Sequence, residues 1–230
     1  MSKNHLKRLN IPKSWPIKKR KGIKFITKPL PGPHSLKTSI PINIVLKNIL
    51  NHAKSTKEAK KILNAGKIFI NNIVRKDHRF PVGLMDIISI PFLDKYYRLL
   101  YNEKGKFILQ PVSKEVAKLK LCKIKNKTLL KGNKTQLNFS DGTNIIVPED
   151  SYKVGESVLL EGNKIKKHLK LEKNTLIFLT GGKYIGKIGT LEKISKSTFT
   201  TPAKIVFKLN NKKFETLKKF AFAIDKEFIK

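Results

Sequence analysis

No Asp or Glu occurs before Glu58, while Lys and Arg place 14 positive charges up to that point. The same stretch carries Pro12, Pro16, Pro29, Pro31 and Pro33. Proline fixes its own φ and restricts the residue before it, so residues 1–38 cannot form a long helix. With no carboxylates, the segment cannot neutralise itself either. It reads as an extended, stiffened basic arm that lies on a polyanion and is disordered without one. Apolar residues are interleaved, which argues for a shaped contact over a solvated tail. Trp15 is read as packing on its own protein, and Phe25 as available to stack or to pin the arm.

The rest of the chain continues this charge bias. Over 230 residues, 50 basic residues stand against 16 acidic ones, a net +34, with an apolar fraction of 40% that is sufficient for a core. Such a chain repels itself unless a polyanion is present, and nucleic acid is the commonest such partner. Arginines number only five (Arg8, Arg20, Arg75, Arg79, Arg98). Because lysine is a point charge for phosphate and arginine reads bases bidentately, the balance favours recognition of shape and backbone. Cys122 is alone, so no intramolecular disulfide can form, and the five scattered histidines lack the neighbours of a zinc site. No cofactor, metal or small-molecule substrate is expected. The absence of an 18-residue apolar run, a secretory h-region or an amphipathic basic anchor points to a soluble, intracellular protein without membrane contact.

Two helices are expected next. In "PINIVLKNILNHA", Pro41 starts a helix whose face is Ile42, Val45, Leu46, Ile49 and Ala53. "STKEAKKILNAG" opens with Ser55 as N-cap and Glu58 three residues on, a capping box, and Gly66 stops it. Ala59, Ile62 and Leu63 form the buried stripe there, with Lys57, Lys60 and Lys61 opposite. A hairpin at Asn71-Asn72 follows, then Arg75, Lys76 and Arg79. Asp77 and His78 are adjacent but expected to point apart, and Asp86 to sit in the turn leading to the next strand. Beyond residue 105 the signals are short strands at close spacing, such as "TQLNF", "NIIV" and "SVLL", interrupted by one short helix at "SKEVAKL" with Ser113 as cap.

Within the last part, "TGGKYIGKIGTL" (residues 180–191) matches seven of the eight positions of a phosphate-gripping P-loop. The magnesium-binding Ser or Thr is replaced by Ile188, and Gly189 with "TLEKI" reads as a strand where the motif needs a helix. Nucleotide hydrolysis is therefore set aside in favour of strand–loop–strand, with Lys183 and Lys187 projecting from the loop. In this form, "LIFLTGGKYIGKIGTLEKI" resembles the KOW motif, an SH3-like RNA- and protein-contacting module.

Four segments in order carry a larger resemblance. "KNHLKRLNIPKSWPI" with "KPLPGPH", "TKEAKKILNAGKIFINNIVRKDHRFPVGLMDIISI", "AKLKLCKIKNKTLLKGNKTQLNFSDGTNIIVP" and the KOW-like stretch together resemble the S4e family of small-subunit ribosomal proteins of archaea and eukaryotes. Two departures stand out: the hairpin has Asn-Asn in place of Asn-Gly or Asp-Gly, and the chain ends at Lys230 without the longer basic extension of eukaryotic members, which favours an archaeal source. The resemblance implies an α+β, multidomain fold. Its expected parts are a basic arm (1–38), a helix–helix–β-hairpin RNA-binding domain (39–104), a central β domain (105–172), a KOW/SH3-like small β-barrel (173–212) and a C-terminal segment (213–230). It implies a cytoplasmic, ribosomal protein without catalysis that binds small-subunit rRNA and neighbouring ribosomal proteins. The expected phosphate contacts are Lys7, Arg8, Lys13, Lys18, Lys19, Arg20 and Lys21 on the arm. Lys54, Lys57, Lys61, Lys67, Arg75, Lys76 and Arg79 follow on the second helix and hairpin, with Lys183 and Lys187 on the glycine loop. The competing readings are an RNA-modifying enzyme with an appended RNA-binding domain, for which the 126 or so residues after 104 hold no acidic catalytic motif, and a KOW-type transcription or translation factor.

Overall fold

The computed structural model describes residues 4–17, 19–132, 134–148, 150–210, 212–225 and 228. It divides into two compact units, the first Met1–Tyr101 with Gly105–Lys120, the second Asn102–Lys104 with Leu121–Lys230.

In the first unit the arm is folded. Its short strand β1 (Leu6–Lys7) pairs antiparallel with β2 (Phe25–Ile26). Leu6, Ile11, Trp15 and Ile17 are buried, and the Trp15 indole donates Nε1–H to the Ser39 carbonyl at 2.8 Å. This corrects the expectation of an arm disordered on its own. A buried indole removes enough apolar area from water to contribute about 4 kcal/mol before ordering costs, and four apolar anchors spaced over a dozen residues hold a proline-stiffened chain without any polyanion. Trp15 packs on its own protein as read from the sequence, leaving Phe25 exposed.

Strand β3 (Ser39–Pro41) enters the core, followed by helix α1 (Ile42–Ile44), which widens into a π-helical turn over Val45–Ile49 with Leu50 N–H reaching the Val45 carbonyl. The expected longer helix is thus a short one. β-Branched Ile42, Ile44, Val45 and Ile49 disfavour helix, and Asn51 turns the chain with φ +55°. Helix α2 (Thr56–Asn64) is as read: Ser55 Oγ accepts from Glu58 N–H, Glu58 Oε2 accepts from Lys54 N–H at 2.8 Å, and Gly66 follows with φ +69°. Ala59 and Leu63 are buried, and Ile62 is half-buried.

Strands β4 (Phe69–Ile70) and β5 (Ile73–Val74) form the hairpin, with Asn71 and Asn72 at φ +51° and +65°, the left-handed pair a two-residue turn requires. β6 (Pro81–Gly83) pairs with β3. β7 (Ile87–Ile90), β8 (Lys95–Tyr101) and β9 (Phe107–Pro111) complete a five-stranded antiparallel sheet in the order β5-β4-β7-β8-β9. The boundary read at residue 104 therefore falls inside the β8–β9 hairpin. The helix expected at "SKEVAKL" is a single 3-10 turn at Val116–Lys118, with Ala117 N–H on the Ser113 carbonyl.

The second unit is two five-stranded antiparallel sheets. Strand β10 (Leu119–Leu130), which starts in the first unit, joins β11 (Lys134–Phe139), β12 (Asn144–Val147), β13 (Ser157–Glu161) and β14 (Lys164–Leu169) in the order β12-β11-β10-β13-β14. Their core is Cys122, Ile124, Leu137, Phe139, Val147, Val158 and Leu160. β15 (Leu176–Leu179), β16 (Ile188–Ser195), β17 (Lys204–Leu209), β18 (Lys212–Leu217) and β19 (Ala221–Ala223) form the other sheet, ordered β18-β17-β16-β15-β19. The glycine stretch connects β15 to β16 directly, so strand–loop–strand is what forms. Its Gly186 and Lys187 amides bond to the Leu179 and Tyr184 carbonyls, whereas a P-loop turns such amides toward phosphate.

Candidate nucleic-acid interface

Two basic surfaces arise in the first unit. One joins helix α2 to the loop after the β4–β5 hairpin. The α2 stripe that buries Ala59 and Leu63 leaves Lys57, Lys60 and Lys61 exposed on its other side, and among the described residues none of the three is ion-paired. The loop is tightened where Asp77 Oδ1 accepts from Arg79 N–H at 2.7 Å. Together they line an open cleft of about 460 Å3 with Lys60, Asn64, Lys76, His78 and Arg79. The same turn brings Asp77 Oδ1 to 3.5 Å from His78 Nδ1, which corrects the expectation that the two side chains point apart. Burial, then Lys60, lowers the His78 pKa against the opposing pull of Asp77. A negative charge placed beside the ring acts in the same direction as Asp77, against that lowering.

Elsewhere in the unit, Arg75 lies over the Phe80 ring at 4.5 Å with its Nε buried, and Lys67 lies over the exposed Phe92 ring at 4.8 Å. Lys54 is exposed at the start of α2. Glu58 is occupied by the cap, where Lys54 N–H and the Ser55 hydroxyl lower its pKa, so it does not compete for these cations.

The second surface is the arm. Lys7, Arg8, Arg20, Lys21 and Lys24 surround a groove of about 470 Å3. The Arg8 Nε–H donates to the Lys19 carbonyl at 2.7 Å and Arg20 Nη2 reaches the Pro12 carbonyl at 3.5 Å, so these arginines also fix the loop that carries them. Lys13 and Lys19 are exposed, while Lys18 lies outside the described residues. In the second unit Lys183 is exposed and Lys187 Nζ stands 3.8 Å from Glu103 Oε2.

Beneath the first unit's surfaces sits an anchor. Asp86 is fully buried and accepts from His34 Nε2 (2.9 Å), Asn71 Nδ2 (2.9 Å), Gly83 N–H (2.8 Å) and Lys120 Nζ (2.9 Å). Burial opposes its ionisation, but Lys120 and His34 prevail and hold the carboxyl well below the usual range. Sequence reading put Asp86 in the turn but not its partners, because 52 and 34 residues separate it from His34 and Lys120. It also missed Lys24, Asn64 and His78. It omitted Lys60 as well, although helical spacing already placed that residue beside Lys57 and Lys61 and was signal enough to include it. Among the described residues no group of three His, Cys, Asp or Glu could hold a metal, and no helix is long and apolar enough to cross a membrane.

Against known proteins, residues 2–37 match the RS4NT (NUC023) domain, 40–88 the S4 domain and 93–166 the ribosomal family S4e. The small ribosomal subunit protein eS4 of Methanothermobacter thermautotrophicus is 40% identical, covering 98% of this chain and 94% of that one. Its counterpart in Methanocella arvoryzae is 42% identical over 99% and 96%. The crystal structure of the 30S ribosomal protein S4e from Thermoplasma acidophilum aligns with a TM-score of 0.71 at 28% identity, covering 81% of this chain and 95% of that one.

Proposed function

The chain belongs to the ribosomal S4e family, and on that premise we propose that it is a structural constituent of the small ribosomal subunit that binds rRNA through the basic surfaces of its first unit. It is not an enzyme, in keeping with the family. The observation that carries the RNA assignment is the α2 and post-hairpin cleft, lined by Lys60, Lys76 and Arg79, with Lys57 and Lys61 exposed on the same helix, all within the span matched by the S4 domain. Arm residues Lys7, Lys13, Lys19 and Lys21 extend the contact, and Arg8 and Arg20 shape it. Lys183 and Lys187 are secondary.

The finer division follows the sequence with the boundary at 104 moved to 120: an arm over 1–38, an RNA-binding helix–hairpin module over 39–120, a central β module over 121–172, a KOW-like module over 173–212 and a terminal segment over 213–230. The partners are small-subunit rRNA and adjoining ribosomal proteins, in the cytoplasm. The test is sedimentation of lysate after a high-salt wash, with the protein followed by antibody. Retention in the small-subunit fraction is the expected result; release into the light fractions would restore the reading of a transient RNA-binding factor.

A further inference from the structure

We propose that a cleft in the first unit, between the arm and the start of α1, holds one unpaired RNA nucleotide, a reading that rests on the rRNA binding above. The cleft has a volume of about 430 Å3, and its lining combines apolar Ile17, Ile23, Phe25 and Ile44 with polar Thr27, Asn43 and Thr56. Arg8 and Lys47 also line it, and its lining holds no carboxylate.

Each part matches one part of a nucleotide. Ile23 and Phe25 are 71% and 45% exposed, a large apolar surface in a basic surround that a flat ring would cover. The Phe25 ring is held in place by His5, with centroids 5.3 Å apart, and by Lys24 Nζ at 5.5 Å. A fixed aromatic of this kind is the usual platform for a base that has left its stack. The polar lining is only partly satisfied: Asn43 Nδ2 donates to Thr27 Oγ1 at 2.7 Å, while the buried Asn43 Oδ1 accepts no hydrogen bond among the described residues. A turn of the amide toward the cleft would let it accept the hydrogen that the exocyclic amine of a base carries. Lys47 Nζ, 3.4 Å from Thr56 Oγ1, and Arg8 supply charge for the flanking phosphates.

A duplex cannot present a base to such a cleft, whereas a bulge or loop can. The lysine-rich surfaces bind RNA by its backbone, and this cleft adds a preference for a place where one nucleotide is extruded. No base-by-base reading is required, which agrees with five arginines against 45 lysines.

The experiment compares binding of the full chain to two RNA hairpins that share a stem, one fully paired and one with a single bulged 2-aminopurine. The bulged hairpin is expected to bind roughly tenfold tighter, with quenched fluorescence, as one base–aromatic stack would give. Phe25→Ala should abolish that preference while leaving the paired hairpin's affinity and salt slope unchanged, and Phe25→Trp should restore it. Equal, salt-sensitive binding of both hairpins by the unaltered protein would overturn the nucleotide site and leave rRNA binding standing. Equal losses on both hairpins in Phe25→Ala would also overturn it, assigning Phe25 a structural role. Absence of salt-sensitive binding to either RNA would remove the underlying rRNA reading as well.

Discussion

The two units use their acidic residues differently. The first holds 26 basic residues against five acidic ones, and the second 24 against 11. In the first, the carboxylates serve the fold: Asp86 is a buried anchor, Glu58 closes a helix cap and Asp77 tightens a turn. In the second, Asp141 and Glu156 are likewise buried, but others sit at the surface opposite lysines, as Glu192 with Lys208 and Lys213, Glu161 with Lys166, and Asp150 with Lys127. The lysines of α2 are therefore left for an outside partner, while several in the second unit are locally neutralised. A surface ion pair adds little stability, so the contrast bears on binding more than on folding.

The largest expected effect comes from the anchor. Asp86→Ala takes the counter-ion from the half-buried Lys120 and strips His34, Asn71 and Gly83 N–H of an acceptor. A loss of about 3–5 kcal/mol is expected in urea unfolding; a loss near zero would mean the first unit's carboxylates are as dispensable as the second's. Acid gives an independent measure. The folded pKa of Asp86 lies below the ordinary 3.8, so its stabilisation is complete above pH ~4 and disappears as pH falls from there toward the folded value. Unfolding midpoints should drop over that range in the unaltered protein and less so in Asp86→Ala.

Next in size is a paired neutralisation. Lys57, Lys61 and Lys76 changed together to Gln should lower the log–log salt slope of RNA binding by about 2–3 and weaken affinity tens-fold at low salt. The same change at Lys166, Lys208 and Lys213 in the second unit should alter affinity by no more than about threefold, since their charge is partly cancelled already. Similar losses from both triplets would erase the comparison.

A smaller effect tests how the arm is held. A Cβ on Gly83 would lie 2.3 Å from the His34 ring, so Gly83→Ala should push His34 from Asp86 and cost about 1–3 kcal/mol. Calorimetry of this variant beside His34→Ala should show overlapping losses, because both break one contact.

The smallest concerns Lys123 in the second unit, whose Nζ donates to the Lys219 carbonyl at 2.9 Å and to that of Ala221. Burial, with Lys218 adding to it, lowers its pKa to about 8. The folded value lies below the ordinary 10.5, so the unfolded chain holds the extra proton between pH 8 and 10.5, and this group's contribution becomes more favourable as pH rises there. Relative to Lys123→Met, the unaltered protein should gain stability from pH 8 to 10; a relative loss would contradict the buried setting.

Local chemistry was what sequence could convey. The Ser55–Glu58 cap, the Asn71-Asn72 turn, the β15–β16 connection and the lysine side of α2 all depend on residues within a few positions of each other, and each forms as read. Long-range packing was not legible. Nothing local shows that Trp15 reaches Ser39, that Phe107 N–H bonds the Ser14 carbonyl, or that β9 pairs with β8 and so belongs to the first unit. The arm was read from its charge and prolines as disordered because its four apolar anchors are spaced without helical or strand period. Asp77 and His78 were separated on strand geometry, which a side-chain-closed turn overrides.

The measurement that tests the central claim most directly is ultraviolet cross-linking within purified small subunits, with the modified peptides of this chain mapped to rRNA. Cross-links are expected from the arm around residues 7–25 and from residues 54–61 and 75–79, with few from the paired lysines of β14, β17 and β18. Cross-links confined to the second unit, with the first unit's cationic surfaces unmodified, would contradict it.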